Sequence, residues 1–162
     1  MPIRYTDKGW FWGSKGPFIS KAKAIQVSRA AHANGFKEEN EMTNDKYAEF
    51  ALTLLHSVTN AHILHLRADT ISIHLAMGEF YIEIGELADT FIEAYQGKYG
   101  KINDYGNQYD VPPLSPIEYM VGLMEYVSNT RTQLPQDTYL QNIIDEVAQS
   151  IASTLNKLRF YK

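Results

Sequence analysis

No cysteine occurs among these 162 residues. That absence removes disulfides, iron–sulfur clusters, zinc ribbons and thiol catalysis. Long apolar runs are missing too: no segment reaches the roughly 18 apolar residues of a membrane span, and MPIRYTDKGW has no signal-peptide core. A cytoplasmic protein without a membrane is the expectation. Phosphate-cradling glycine loops and nucleophile elbows are also lacking.

What is present describes an ordinary globular chain, 44% hydrophobic and 21% charged. Its length suits one packed domain with a short appendage. The net charge of −4 hides an asymmetry: Arg4, Lys8, Lys15, Lys21, Lys23, Arg29 and Lys37 face Asp7 alone, so residues 1–37 carry +6 and the rest −10. A basic arm on an acidic body makes DNA a candidate partner. A solvated helix face plus loop lysines is the plainer reading.

Two units follow from the pattern, residues 1–40 and 41–162. The first reads as ββα. Ile3–Thr6 and Trp10–Gly13 flank Asp7-Lys8-Gly9 as a hairpin, Ser14-Lys15-Gly16-Pro17 is a turn, and Ser20 caps a helix ending near Asn34 and Gly35. The Trp10, Phe11, Trp12 cluster suits a small core, or stacking on bases. Polar residues 38–43 read as a linker. Helical spacing then runs from Asn44 to about Arg67, with Tyr47, Phe50, Ala51, Leu54, Leu55, Val58, Ala61, Ile63 and Leu66 inward. A second helix starts at Asp69 or Thr70, with Ile73, Met77, Phe80, Ile84, Leu87, Phe91 and Tyr95 inward, and stops at Gly97. Residues 97–116 hold three glycines and three prolines and form a long crossover. Ser115-Pro116 opens a third helix to about Thr132, and the fourth covers about Asp137–Arg159. The expected fold is mainly α: a four-helix bundle with one long crossover, the ferritin-like connectivity.

His62, His74, Asp89 and Glu93 are separated by twelve, fifteen and four residues. Two imidazoles and two carboxylates suit iron, manganese or zinc. Asp89 and Glu93 stand one turn apart on one helix face, whereas His74 and Asp89 are roughly 22 Å apart along the axis. Metal–ligand bonds of about 2.0–2.2 Å cannot close that gap within one chain. An antiparallel second copy could bring its carboxylates to these histidines, so the pattern predicts a metal site at a two-fold dimer interface.

The segment from His62 through His74 to Asp89 and Glu93 resembles the ferroxidase motif of the Dps family, the DNA-protection-during-starvation miniferritins. Tyr81 and Glu86 also fall where that family has such residues. The resemblance implies a ferritin-like bundle whose intersubunit site oxidises Fe(II) with hydrogen peroxide or oxygen and stores ferric iron in a hollow dodecamer. His62, His74, Asp89 and Glu93 would be the catalytic metal ligands, and Glu79 a weak ligand or neighbouring base. A two-iron centre is the fuller version, and manganese or zinc the alternatives. Two positions depart from the family pattern: Gly78 stands where an acidic residue is common, and Ile63 where a tryptophan often follows the first histidine.

The N-terminal DKGWFWGSKGPFISKAKA resembles a segment recurring in tailed-bacteriophage proteins, and the whole chain is similar to phage proteins with a ferritin-like fold. That implies a bacterial cell or an infected host, or a virion. It also supplies the alternative function, a phage structural or interaction protein on the same bundle without ferroxidase activity. His62 and His65, three residues apart, offer a bare zinc pair, although His65 reads more simply as a surface histidine. His32 and His56 read as surface or packing residues.

Overall fold

The computed structural model describes residues 3–12, 15–33, 40–106, 109, 111 and 114–161, with backbone alone for 31–33 and 40–45. The chain is mainly helical, with a small three-stranded antiparallel sheet at its start. It divides into two compact units, Met1–Met42 and Thr43–Lys162.

In the first unit, β1 (Ile3–Thr6), β2 (Gly9–Trp12) and β3 (Lys15–Phe18) pair in sequence order. Thr6 pairs with Gly9, leaving Asp7-Lys8 as the turn. The expected turn at residues 14–17 is instead β3 from Lys15 onward, so the unit is βββα rather than ββα. Pro17 has no N–H to give a ladder, and it is accommodated because β3 is an edge strand. Gly16 (φ +139°) allows the close approach to β2, where a Cβ would stand 2.8 Å from the Trp10 carbonyl oxygen. Helix α1 (Lys21–Ala33) starts where Ser20 Oγ accepts from Lys23 N at 3.2 Å, and it packs chiefly on β2. Trp12 and Ala24 are fully buried and form the small core, while Trp10 and Phe11 are half-buried. The expected stop at Gly35 lies outside the described residues.

Helix α2 (Asn40–Leu66) begins earlier than expected, inside the segment read as a linker. Polarity suggested a linker there, but Asn40-Glu41-Met42-Thr43 holds no glycine or proline, and Glu and Met are good helix formers. Helix α3 (Ile71–Tyr99) is capped by Thr70 Oγ1, which accepts from Ile73 N at 3.3 Å. Its end also moves: Gly97 lies within the helix, and Gly100, at φ +94°, ends it. Only the second glycine adopts a backbone conformation that other residues avoid. Helix α4 (Pro116–Thr130) opens with a reciprocal Ser115–Glu118 capping box and continues as one 3₁₀ turn, Arg131–Gln133. Helix α5 (Thr138–Phe160) completes the chain.

Side-chain contacts fix the helix directions. Tyr47 meets Phe91 and His62 meets Tyr81, so α2 and α3 are antiparallel neighbours. Ser150 meets Glu83, and Asp137 meets Lys98 and Tyr99, so α5 runs antiparallel to α3. Arg131 reaches Gln141 and Asp145, closing the α4–α5 hairpin. Phe50 lies against Tyr126, linking α2 to α4. The shared core includes Phe50, Leu54, Met77, Phe80, Ile84, Met120, Ile144 and Ile151, all fully buried. Leu66, expected inward, is the last residue of α2 and is 70% exposed. Between α3 and α4, Tyr109 lies against α2: its Oη donates to Asn60 Oδ1 at 3.0 Å and its ring meets His56 edge-on.

Candidate metal centre

The turn of residues 67–70 joins α2 to α3 and brings three histidines to one end of the helix pair. His65 and His74 clasp each other: His65 Nδ1 lies 2.6 Å from the His74 carbonyl oxygen, and His74 Nδ1 lies 3.2 Å from that of His65. Their rings stack with centroids 3.7 Å apart. A carbonyl oxygen only accepts, so each Nδ1 carries the proton. In the neutral ring, Nε2 is then the lone-pair nitrogen, the form that binds metals.

Gly78 is part of this arrangement. A Cβ there would stand 3.0 Å from His65 Nδ1 and 3.1 Å from Cε1, so the missing side chain leaves room for the ring. His62 is exposed and stacks on Tyr81 at 4.4 Å, with its centroid 5.9 Å from that of His65. The half-buried His65 is thus no free surface histidine.

Asp89 and Glu93 are exposed on α3, toward the opposite end from His74. The fold brings His74 close to His65 and leaves these carboxylates to another part of the surface. Glu79 forms an ion pair with Lys157 of α5. Among the described residues, no group of three or more His, Asp or Glu side chains is placed to hold a metal ion within one chain.

The α3 face bearing the carboxylates has a further property. Ile71, Leu75, Ile82, Glu86, Asp89 and Glu93 fall within about 60° of arc at 100° per residue. The three aliphatic members are 69%, 57% and 58% exposed. One helix face is therefore apolar along its first half, acidic along its second, and open throughout.

The sequence presents His65 as half of a bare zinc pair with His62, or more simply a surface histidine, and Gly78 as a departure from the family pattern. It does not connect the two, which the structure places in contact. Their signal was available only as a pair, with a histidine before the turn and a glycine one helical turn after His74.

A family model described as a family of unknown function (DUF5856) matches residues 65–158, more than half of the chain. The match includes His65, His74, Gly78, Asp89 and Glu93 and begins after His62. No curated protein and no solved structure matches.

Proposed function

The chain belongs to the family of unknown function DUF5856, and we propose that it is a Dps-like ferroxidase, oxidising Fe(II) at a site shared between two copies. The fold assigned to it is a ferritin-like four-helix bundle with a crossover between α3 and α4. Antiparallel contacts of α2 with α3 and of α3 with α5, the α4–α5 hairpin and the contact of α2 with α4 support that reading.

The open α3 face carries the functional proposal. Its exposed Ile71, Leu75 and Ile82 favour burial against another surface. A second copy laid antiparallel would cover them and place its Asp89 and Glu93 against the histidine end of the first. Pairing residue 74 with residues 89–93 sets the two-fold near Ile82. The donor set fits iron: carboxylates hold the ferric state, and imidazoles accept the ferrous one. His62 and His74 would supply neutral imidazole nitrogens, and Asp89 and Glu93 the compensating charge. Glu79, held by Lys157, would act from the neighbouring surface. Fe(II) as substrate would give up an electron to hydrogen peroxide or oxygen, with ferric iron stored. Manganese and zinc suit the same donors, and a dodecamer is the larger assembly such a dimer could build.

The test is to add Fe(II) anaerobically to the metal-free protein, then hydrogen peroxide, following ferric absorbance in wild type and in Asp89→Ala/Glu93→Ala. Fast oxidation is expected in wild type and not in the variant. Equal, slow oxidation in both would overturn the reading.

The basic first unit suits a DNA-associating arm on this miniferritin. Tyr5 is 67% exposed against Trp10, and Lys21 Nζ lies 5.5 Å from that ring's centroid. Such a surface suits DNA through stacking and charge. DNA binding should then weaken steeply with salt and vanish on deleting residues 1–37. Salt-insensitive binding would exclude the DNA arm. The alternative function is a phage-type structural or interaction protein on the same bundle, without ferroxidase activity, in which deleting residues 1–37 changes assembly instead. No helix among the described residues is long and apolar enough to cross a membrane.

A further inference from the structure

We propose that His62 and His65 form the imidazole pair that grips a divalent transition ion, with His74 positioning His65. The inference rests on the metal-binding reading of this end of the molecule and reassigns one of its ligands.

Ring separations show which neighbouring rings can share an ion. With a metal–nitrogen bond of about 2.0–2.1 Å, an ion sits roughly 3.2 Å from the centroid of each ring that binds it. Two rings on one ion therefore have centroids about 4.5 Å apart at a right angle and about 6.4 Å apart when opposed. His62 and His65 lie at 5.9 Å with planes inclined by 50°, inside that range. His65 and His74, stacked at 3.7 Å, lie outside it and cannot share an ion as they stand.

His65 is also prepared as a ligand. Its Nδ1 proton is committed to the His74 carbonyl oxygen, which fixes the tautomer and leaves Nε2 for the ion. Gly78 holds open the space that its Nδ1–Cε1 edge occupies. His62, one helical turn earlier, is exposed and oriented by Tyr81. Under this assignment His74 is a positioning residue: its carbonyl holds the His65 tautomer and its ring backs the His65 ring. Two imidazoles favour copper, nickel, zinc and iron over magnesium or calcium. Water or carboxylates of a second copy would complete the coordination.

Copper(II) is the probe, because paramagnetic resonance resolves coupling to bound imidazole nitrogens. Full-length metal-free protein is titrated with Cu²⁺ as wild type, His62→Gln, His65→Gln, His74→Phe, Gly78→Ala and Asp89→Asn/Glu93→Gln. Wild type should show two coupled imidazole nitrogens. His62→Gln and His65→Gln should each remove one and weaken binding by at least about tenfold. His74→Phe keeps an aromatic ring against His65 and should retain both nitrogens. Gly78→Ala should weaken copper binding with helix content unchanged by circular dichroism, which guards against a folding artefact. Unchanged binding in His65→Gln, loss of a nitrogen in His74→Phe but not in His65→Gln, or no copper uptake by wild type would each overturn the assignment. Asp89→Asn/Glu93→Gln separates the two proposals: retained two-nitrogen binding there, with ferroxidation lost, upholds the His62–His65 pair and the shared-site function together. Copper binding lost there and intact in His65→Gln would uphold the four-residue site against this one.

Discussion

The rings of Tyr47 and Phe91 lie nearly parallel, 4.9 Å apart and inclined by 7°, in the buried contact between α2 and α3. Phe50 meets the same Phe91 edge-on at 5.0 Å. These contacts set the register of the helix pair, and that register carries His62 to Tyr81 and His65 to His74. Phe91→Ala should cost about 3–5 kcal/mol through lost burial and the cavity left behind. Urea unfolding followed by circular dichroism should show a lower midpoint with an unchanged slope. A loss below about 1 kcal/mol would mean the contact is not part of the core.

A single cysteine can locate the proposed two-fold, since the native chain has none. Ile82→Cys should form a covalent dimer under mild oxidation, because a disulfide needs Cα atoms about 4.4–6.8 Å apart. Ser128→Cys, exposed on α4, is the control and should stay unlinked. Non-reducing electrophoresis reads the result. Equal, weak cross-linking of the two variants would place the axis elsewhere.

Burial raises Tyr119 from its ordinary value of 10.0 to about 12. The unfolded chain therefore releases this proton first as the pH rises. Tyr119's contribution is full below pH 10 and is lost as the pH climbs toward 12. Phenolate absorbance should show Tyr119 ionising late in an alkaline titration, near pH 12. Tyr119→Phe should flatten the alkaline fall in stability. An unchanged fall would assign it to other groups.

At the acid end, hydrogen bonds from Ser115 lower the Glu118 carboxyl below its ordinary 4.5, and hydrogen bonds from Lys98 and then Tyr99 lower that of Asp137 below 3.8. A lowered carboxyl stabilises fully above its unfolded value and loses that contribution as the pH falls through the folded one. Thermal midpoints should therefore drop below about pH 4.5. Ser115→Ala should lower the midpoint at neutral pH and shrink the acid-dependent part. Identical pH profiles for the two proteins would show that the capping box is not formed in solution.

Much of the second unit was legible because its determinants are local. Apolar residues at helical spacing marked Ile73, Met77, Phe80, Ile84, Leu87, Phe91 and Tyr95 as inward; Ile73 and Leu87 are half-buried and the other five buried. Thr70 and Ser115 announced their caps through side chains that reach only three residues ahead. Helix ends were less readable. Gly97 and Gly100 look alike in sequence, and the choice between them depended on which φ the backbone adopted. The third strand was hidden because Gly16-Pro17 has turn chemistry, and only pairing with β2 makes it a strand.

By itself the sequence determined the helices, their caps and the spacing that keeps His74 and Asp89 far apart on α3, since each follows from neighbours along the chain. Only the tertiary structure decided that His65 and His74 clasp across the turn, that Gly78 opens the space for the His65 ring, and that Ile71, Leu75 and Ile82 stay open beside Asp89 and Glu93. These relations depend on how α2 registers against α3 and which helix faces find partners, and both are settled by packing between elements rather than by propensity within them.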